Sequence, residues 1–202
     1  LGYFTNVDVD AREGSSPDQV VIDVDVTEGP TGSLSFGGNF SSDNGFSLLA
    51  RFNQRNFLGR GQALSFVLQG GADNQQFSFG FTEPRLMGRD LSFGFDASYL
   101  LTDNQDANFD TTEATFRPRI GFPVSENGRL SLYYAYDYVD RGGLAPGISQ
   151  LIADDEGSVS TNSLGYSYSY DTRRTGLNPN AGVLFQFGQE FGFGESTYIE
   201  TT

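Results

Sequence analysis

The chain of 202 residues has no cysteine, no histidine, no lysine and no tryptophan, and only one methionine. Without cysteine there is no disulfide framework, thiolate nucleophile or Cys-ligated metal. Without histidine, the commonest general base and transition-metal ligand is gone. A hydrolase would have to work with carboxylates, Arg, Ser or Tyr, so the chain reads as a non-enzyme with no catalytic residue, cofactor or metal site. Cations are scarce as well: all twelve are Arg, and the net charge of −14 argues against nucleic acid as a partner. No apolar run is long enough to cross a bilayer as a helix, and no signal-peptide pattern stands at Leu1. The expectation is that either the mature chain starts there or the sequence is a fragment.

What the chain has instead is Phe, at 19, and Gly, at 26. From residue 32 the apolar positions recur at period two, the period of a strand. Successive runs are Leu34, Phe36 and Phe40; Phe46, Leu48, Ala50 and Phe52; Leu64, Phe66 and Leu68; and Phe77, Phe79 and Phe81. Five more follow, to Phe191, with a further strand start at Ser196 to Thr202. The intervening positions are small, polar or charged, among them Arg51, Asp96, Arg117, Arg119 and Asp137. A soluble sandwich also alternates, but mid-strand Arg and Asp suit a wet lumen, and the runs approach the ~9 to 11 residues of a tilted membrane strand. The predicted fold is all-β, an antiparallel transmembrane β-barrel over 32–202 of which only the N-terminal strands are present.

The connections divide by parity. The odd ones, Ser41 to Gly45, Gly70 to Asn74, Thr102 to Thr112 and Gly142 to Ser158, carry acidic residues and no Arg. The even ones, Gln54 to Gly61, Glu83 to Arg89, Pro123 to Arg129 and Thr172 to Ala181, carry Arg55, Arg60, Arg85, Arg89, Arg129, Arg173 and Arg174. Two long acidic loops against compact Arg-bearing turns point to an outside and a periplasmic end, since such barrels keep their periplasmic turns short. The acidic runs Asp154-Asp155-Glu156 and Asp103, Asp106, Asp110 are explained by solvation, with divalent-cation binding as the functional alternative. Arg117 and Arg119 are expected to pair with Asp96 or Asp137, in a structural role.

The first 31 residues differ. Val7 and Val9 alternate with Asp8 and Asp10, and Val20, Ile22, Val24 and Val26 with Asp23 and Asp25, around a turn cluster at Glu13 to Asp18. This reads as a water-soluble hairpin over 1–27 with a polar outer face, then a linker over 28–31 at Glu28-Gly29-Pro30. A lone hairpin is marginal in water, so a domain is expected to be cut at Leu1.

Several of these segments resemble the BamA family of outer-membrane assembly factors, insertases built from POTRA modules and a barrel. Gly2-Tyr3-Phe4 with Val7, Val9 and the Val20 to Pro30 stretch is similar to the last hairpin of a POTRA domain. Asn56-Phe57-Leu58-Gly59-Arg60-Gly61 resembles the family's first periplasmic turn, Glu83-Pro84-Arg85-Leu86 its second, and Asp171-Thr172-Arg173 with Asn178-Pro179 and Gly182 its fourth. The turn-motif positions are thus Phe57, Leu58, Gly59, Gly61, Glu83, Pro84, Arg173 and Pro179. The resemblance implies a barrel of about sixteen strands, whose remaining strands and VRGF-type loop motif would lie beyond Thr202.

It also implies a location in the bacterial outer membrane with 1–31 in the periplasm, and a function: folding and inserting client barrels. The implied partners are unfolded outer-membrane protein clients, accessory lipoproteins, and outer-membrane lipid and lipopolysaccharide. In such relatives a client strand adds to the edge of strand one, here Ser33, Leu34, Ser35, Phe36, Gly37, Gly38, Asn39 and Phe40. Gly37-Gly38 would weaken the strand interior, or simply ease a bend. The alternatives are a sister translocation-assembly (TamA-like) protein, a two-partner secretion transporter and, disfavoured by the POTRA-like hairpin, a passive porin.

Overall fold

The computed structural model describes all residues except 1, 2, 17, 42–44, 72, 105–108, 145, 146, 148 and 174–180. Two antiparallel sheets account for nearly all of it. Strands β1 (Phe4–Glu13) and β2 (Val20–Glu28) form a hairpin. A ten-stranded meander follows: β3 (Gly32–Ser41), β4 (Gly45–Phe57), β5 (Gln62–Gly71), β6 (Asn74–Glu83), β7 (Ser92–Asn104), β8 (Phe109–Pro123), β9 (Gly128–Gly142), β10 (Gly157–Asp171), β11 (Leu184–Gly194) and β12 (Tyr198–Thr201). Each strand pairs with its chain neighbours, and β3 and β12 are the two edges. One helical turn, α1 (Gln150–Ala153), interrupts the connection before β10.

Register turns the alternation into a continuous surface. Leu34 pairs with Phe52, Phe52 with Phe66, Phe66 with Phe79, Phe79 with Ala97, Ala97 with Phe116 and Phe116 with Tyr136, a single row on one face across seven strands. A one-residue slip anywhere would turn a strand's greasy side chains inward, so this face fixes the register. Rings meet along it, Phe66 edge-on to Phe77 with centroids 5.3 Å apart. The face has no protein partner: Phe36 is 77% exposed, and among the described residues Ala135 is the only buried apolar side chain. A sheet with one unpartnered apolar face and no core beneath it is stable where lipid covers that face and the ladders satisfy the backbone.

Two expectations change. The connection expected over Thr102 to Thr112 reduces to 105–108, because β7 and β8 continue as Leu101↔Thr112, Thr102↔Thr111 and Asp103↔Asp110. Apolar alternation marks only the lipid-facing part of a strand, so polar ends that rise above it resemble loop. Long connections therefore occur once at each end, at 143–156 and 172–183, and charge, not length, distinguishes the ends. Arg117 pairs with Glu190 at 3.9 Å and not with either Asp, whereas Arg119 does pair with Asp96. Asp137 instead accepts a hydrogen bond from Thr115 at 2.9 Å.

The hairpin places Val7, Val9, Val24, Val26 and Ile22 on one face, opposite a face with Asp8, Asp10, Asp23 and Asp25. Arg12 pairs with Asp23 at 2.6 Å on that polar face. The apolar face is open as well: Val9 and Ile22 are both exposed.

Candidate functional site

Among the described residues, strand β3 is hydrogen-bonded to another strand on one side only. Its ladder to β4 runs without a register shift from Gly32↔Gln54 to Ser41↔Gly45, so the two central glycines create no bulge. Neither glycine is required by packing. A Cβ on Gly37 would meet nothing closer than Leu49 Cβ at 4.0 Å, and one on Gly38 would lie 3.7 Å from Phe46, an ordinary contact. Gly38 instead leaves a gap in the lipid face between exposed Phe36 and Phe40. Ser33, Ser35, Gly37 and Asn39 face the lumen, and the outer edge offers unpaired backbone donors and acceptors along ten residues.

The turn motifs come together at the end where β3 starts. In the first, a register shift between Gln54 and Phe57 precedes a tight turn in which Leu58, Gly59 and Gly61 all take positive φ. Asn56 Oδ1 accepts the Gly61 amide at 2.7 Å, so the Asn side chain closes the turn. In the second, Glu83 accepts from Gln62 Nε2 at 2.6 Å and from the Arg85 amide at 2.9 Å, tying the two turns together. Met87, like Leu58, has a φ of 55°. Arg129 reaches Asp90 at 2.9 Å, and Asn127 O accepts the Asp171 amide at 2.9 Å, which links the third and fourth turns to this rim.

In the fourth turn Arg173 forms a fork on Asp171, with bonds of 2.9 and 2.8 Å. The Asp171 hydrogen bonds hold the Arg173 guanidinium proton and raise its pKa above the ordinary value. Gly182 has φ of 126°, and a Cβ there would collide with the Thr172 carbonyl at 2.6 Å. Pro179, named in this motif, lies outside the described residues. The hairpin joins the rim through Tyr3, whose hydroxyl donates to the Arg55 carbonyl at 3.3 Å. A cleft of about 910 Å³ opens between hairpin and turns, with Tyr3, Glu28, Arg60, Pro84, Arg85 and Arg89 on its walls.

A second cluster, which the sequence pattern did not reveal, occupies the lumen side of β8 to β12. Glu190 accepts from Tyr133 at 2.7 Å and from Tyr198 at 2.5 Å, and Arg117 lies 5.3 Å over the Tyr133 ring. Each tyrosine lies over a glycine directly across its ladder, Tyr133 over Gly165 and Tyr198 over Gly192. Ala135 and Ser163, fully buried, sit paired beneath. The signal was available once register was known: a glycine paired with a lumen-facing tyrosine. Among the described residues no group of acidic side chains converges as a metal site, and Asp106 lies outside them.

Comparison with known proteins agrees with this architecture. A model of the Omp85 superfamily domain matches residues 56–202. The outer membrane protein assembly factor BamA of Nitratidesulfovibrio vulgaris is 28% identical over 192 residues, covering 95% of this chain and 24% of that protein. BamA of Neisseria meningitidis serogroup B is 30% identical over 137 residues, 65% of this chain and 17% of that protein. A sorting and assembly machinery component 50 homolog of Xenopus laevis is 24% identical over 195 residues, 94% of this chain and 41% of that protein. The chain thus spans about a quarter or less of the bacterial relatives it matches. Among solved structures, BamA from Haemophilus ducreyi lacking POTRA domains 1–3 shares the fold, with a TM-score of 0.59 at 22% identity over 95% of this chain and 40% of that one.

Proposed function

The chain belongs to the Omp85 superfamily, and from that premise we propose that it is the leading barrel segment of an outer-membrane protein assembly factor that templates client strands on the edge of β3. The observation that carries this reading is the combination found in one strand. Its outer edge is unpaired, its interior has two glycines that nothing in the packing demands, and its lipid face is thinnest at Gly38. A client strand arriving there gains backbone hydrogen bonds in register, and its own apolar positions extend the row that starts at Leu34. A strand with a weakened interior holds any resident partner less firmly and so yields to a client.

The clients are unfolded outer-membrane proteins, and the other protein partners are accessory lipoproteins of the assembly complex. Residues 1–27 are the last hairpin of a POTRA domain joined to the barrel by 28–31. The exposed valine face of β1 and β2 is the side such a domain would cover with its remaining elements, and lipid and lipopolysaccharide cover the barrel. In this assignment the Arg-bearing turns face the periplasm because the hairpin enters there. Depletion of the full-length protein tests the function. Loss of folded barrels, with unfolded precursors accumulating in the periplasm, is expected. Normal assembly of other barrels together with loss of a conductance would refute it in favour of a passive porin.

A further inference from the structure

The first two Arg-bearing turns share an unusual construction. Each places a large apolar residue, Leu58 or Met87, at a φ of 55°, where glycine would sit without steric cost. A strained apolar residue is normally held by packing, yet Leu58 is 73% exposed and Met87 91%. Neither lines the cleft between the turns and the hairpin. Arg60, Arg85 and Arg89 do, and none of the three forms a salt bridge within the described residues. Asp90, on the same wall, is already engaged by Arg129. Two further carboxylates stand near: Glu83, which feels the charge of Arg60, and Glu28 on the cleft wall, so three guanidinium groups face fewer local acids than the chain's net charge of −14 would suggest.

We propose that these turns form a clamp for an anionic phospholipid of the periplasmic leaflet. Leu58 and Met87 insert among the acyl chains at the bilayer boundary, and Arg60, Arg85 and Arg89 bind the head-group phosphate. The placement suits it: Phe57, paired with Gln62 on the lipid face and exposed, directly precedes Leu58, and Phe81 on the same face lies six residues before Met87. Guanidinium groups match phosphate oxygens bidentately, and cations at this depth meet the negative surface of the leaflet. A soluble polyanion would account for the arginines and leave the apolar tips unexplained. The clamp would anchor the turns next to β3 and hold the hairpin entrance against the membrane.

The proposal rests on the Arg-bearing turns facing the periplasm. To test it, the full-length protein in neutral detergent is titrated with short-chain phosphatidylglycerol, short-chain phosphatidylcholine and inorganic phosphate, with binding read by native mass spectrometry. Phosphatidylglycerol is expected to bind at least about tenfold more tightly than phosphatidylcholine. In the triple variant R60Q/R85Q/R89Q that ratio should fall to near one, while L58S/M87S should weaken both lipids and keep the ratio. An unchanged ratio in the triple variant, or displacement by inorganic phosphate at comparable concentration, overturns the clamp. Should the triple variant not fold, M87C carrying an environment-sensitive dye decides: quenching by brominated lipid supports insertion, and quenching by aqueous iodide alone overturns it. Labelling of the same cysteine by an impermeant maleimide in intact cells would overturn the orientation itself, whereas a periplasmic turn without lipid preference overturns only the clamp.

Discussion

Replacing Gly165 with Ala should unlock the lumenal cluster. The added methyl would overlap the Tyr133 ring, with Cε2 at 2.7 Å, so the ring must leave the glycine it covers. In leaving, it gives up the 2.7 Å bond to Glu190 and the stack beneath Arg117. A hydrogen bond to a charged acceptor contributes about 1.5–3 kcal/mol, and an exposed cation–π contact about 0.5–1. The half-exposed lumen places the sum near the lower end, about 2 kcal/mol. Urea unfolding of the full-length protein in phosphatidylcholine vesicles, followed by heat-dependent gel mobility, measures the loss. A double-mutant cycle isolates its cause: with Tyr133→Ala already present, Gly165→Ala should be neutral or slightly stabilising, since alanine restricts the unfolded strand more than glycine. A loss under about 0.5 kcal/mol in the parent, or an equal loss in both backgrounds, would refute the interlock.

Other consequences can be checked alongside. Gly37→Ala and Gly38→Ala have room for the added methyl, so each variant should fold with normal gel mobility yet slow client assembly several-fold in a reconstituted assay; unchanged assembly would mean that weakness of this strand is irrelevant. Gly182→Ala, strained at φ of 126° and blocked by the Thr172 carbonyl, should cost about 1–3 kcal/mol in the same unfolding assay. Gly70→Ala, which meets nothing within 4 Å, serves as its comparison and should change stability by under about 1 kcal/mol.

Much of this architecture was legible in the sequence because a membrane barrel writes its fold in period two. Phe77, Phe79 and Phe81 can only share a face as a strand, and the rows from Leu34 to Tyr136 follow once neighbours pair in order. The polar ends at Thr102 to Asp103 and Asp110 to Thr111 were not legible, because no apolar signal survives above the lipid. The partner of Arg117 was hidden for a different reason. Glu190 lies three strands away on β11, and such contacts depend on the curvature of the sheet and not on the spacing of residues along any one strand. Leu58 and Met87 could be read as turn residues, but their strained and exposed conformation required coordinates.

The edge of β3 carries the central claim, and site-specific crosslinking tests it most directly. Single cysteines at Ser33 through Phe40 in the full-length protein, combined with single cysteines along the terminal strand of a stalled client barrel, report pairing and register together. The account predicts disulfides at matched positions that advance one residue on β3 for each residue moved back on the client, as an antiparallel ladder requires, or forward if the added strand is parallel. Adducts scattered without register, or none along β3 while the client still assembles, would contradict it.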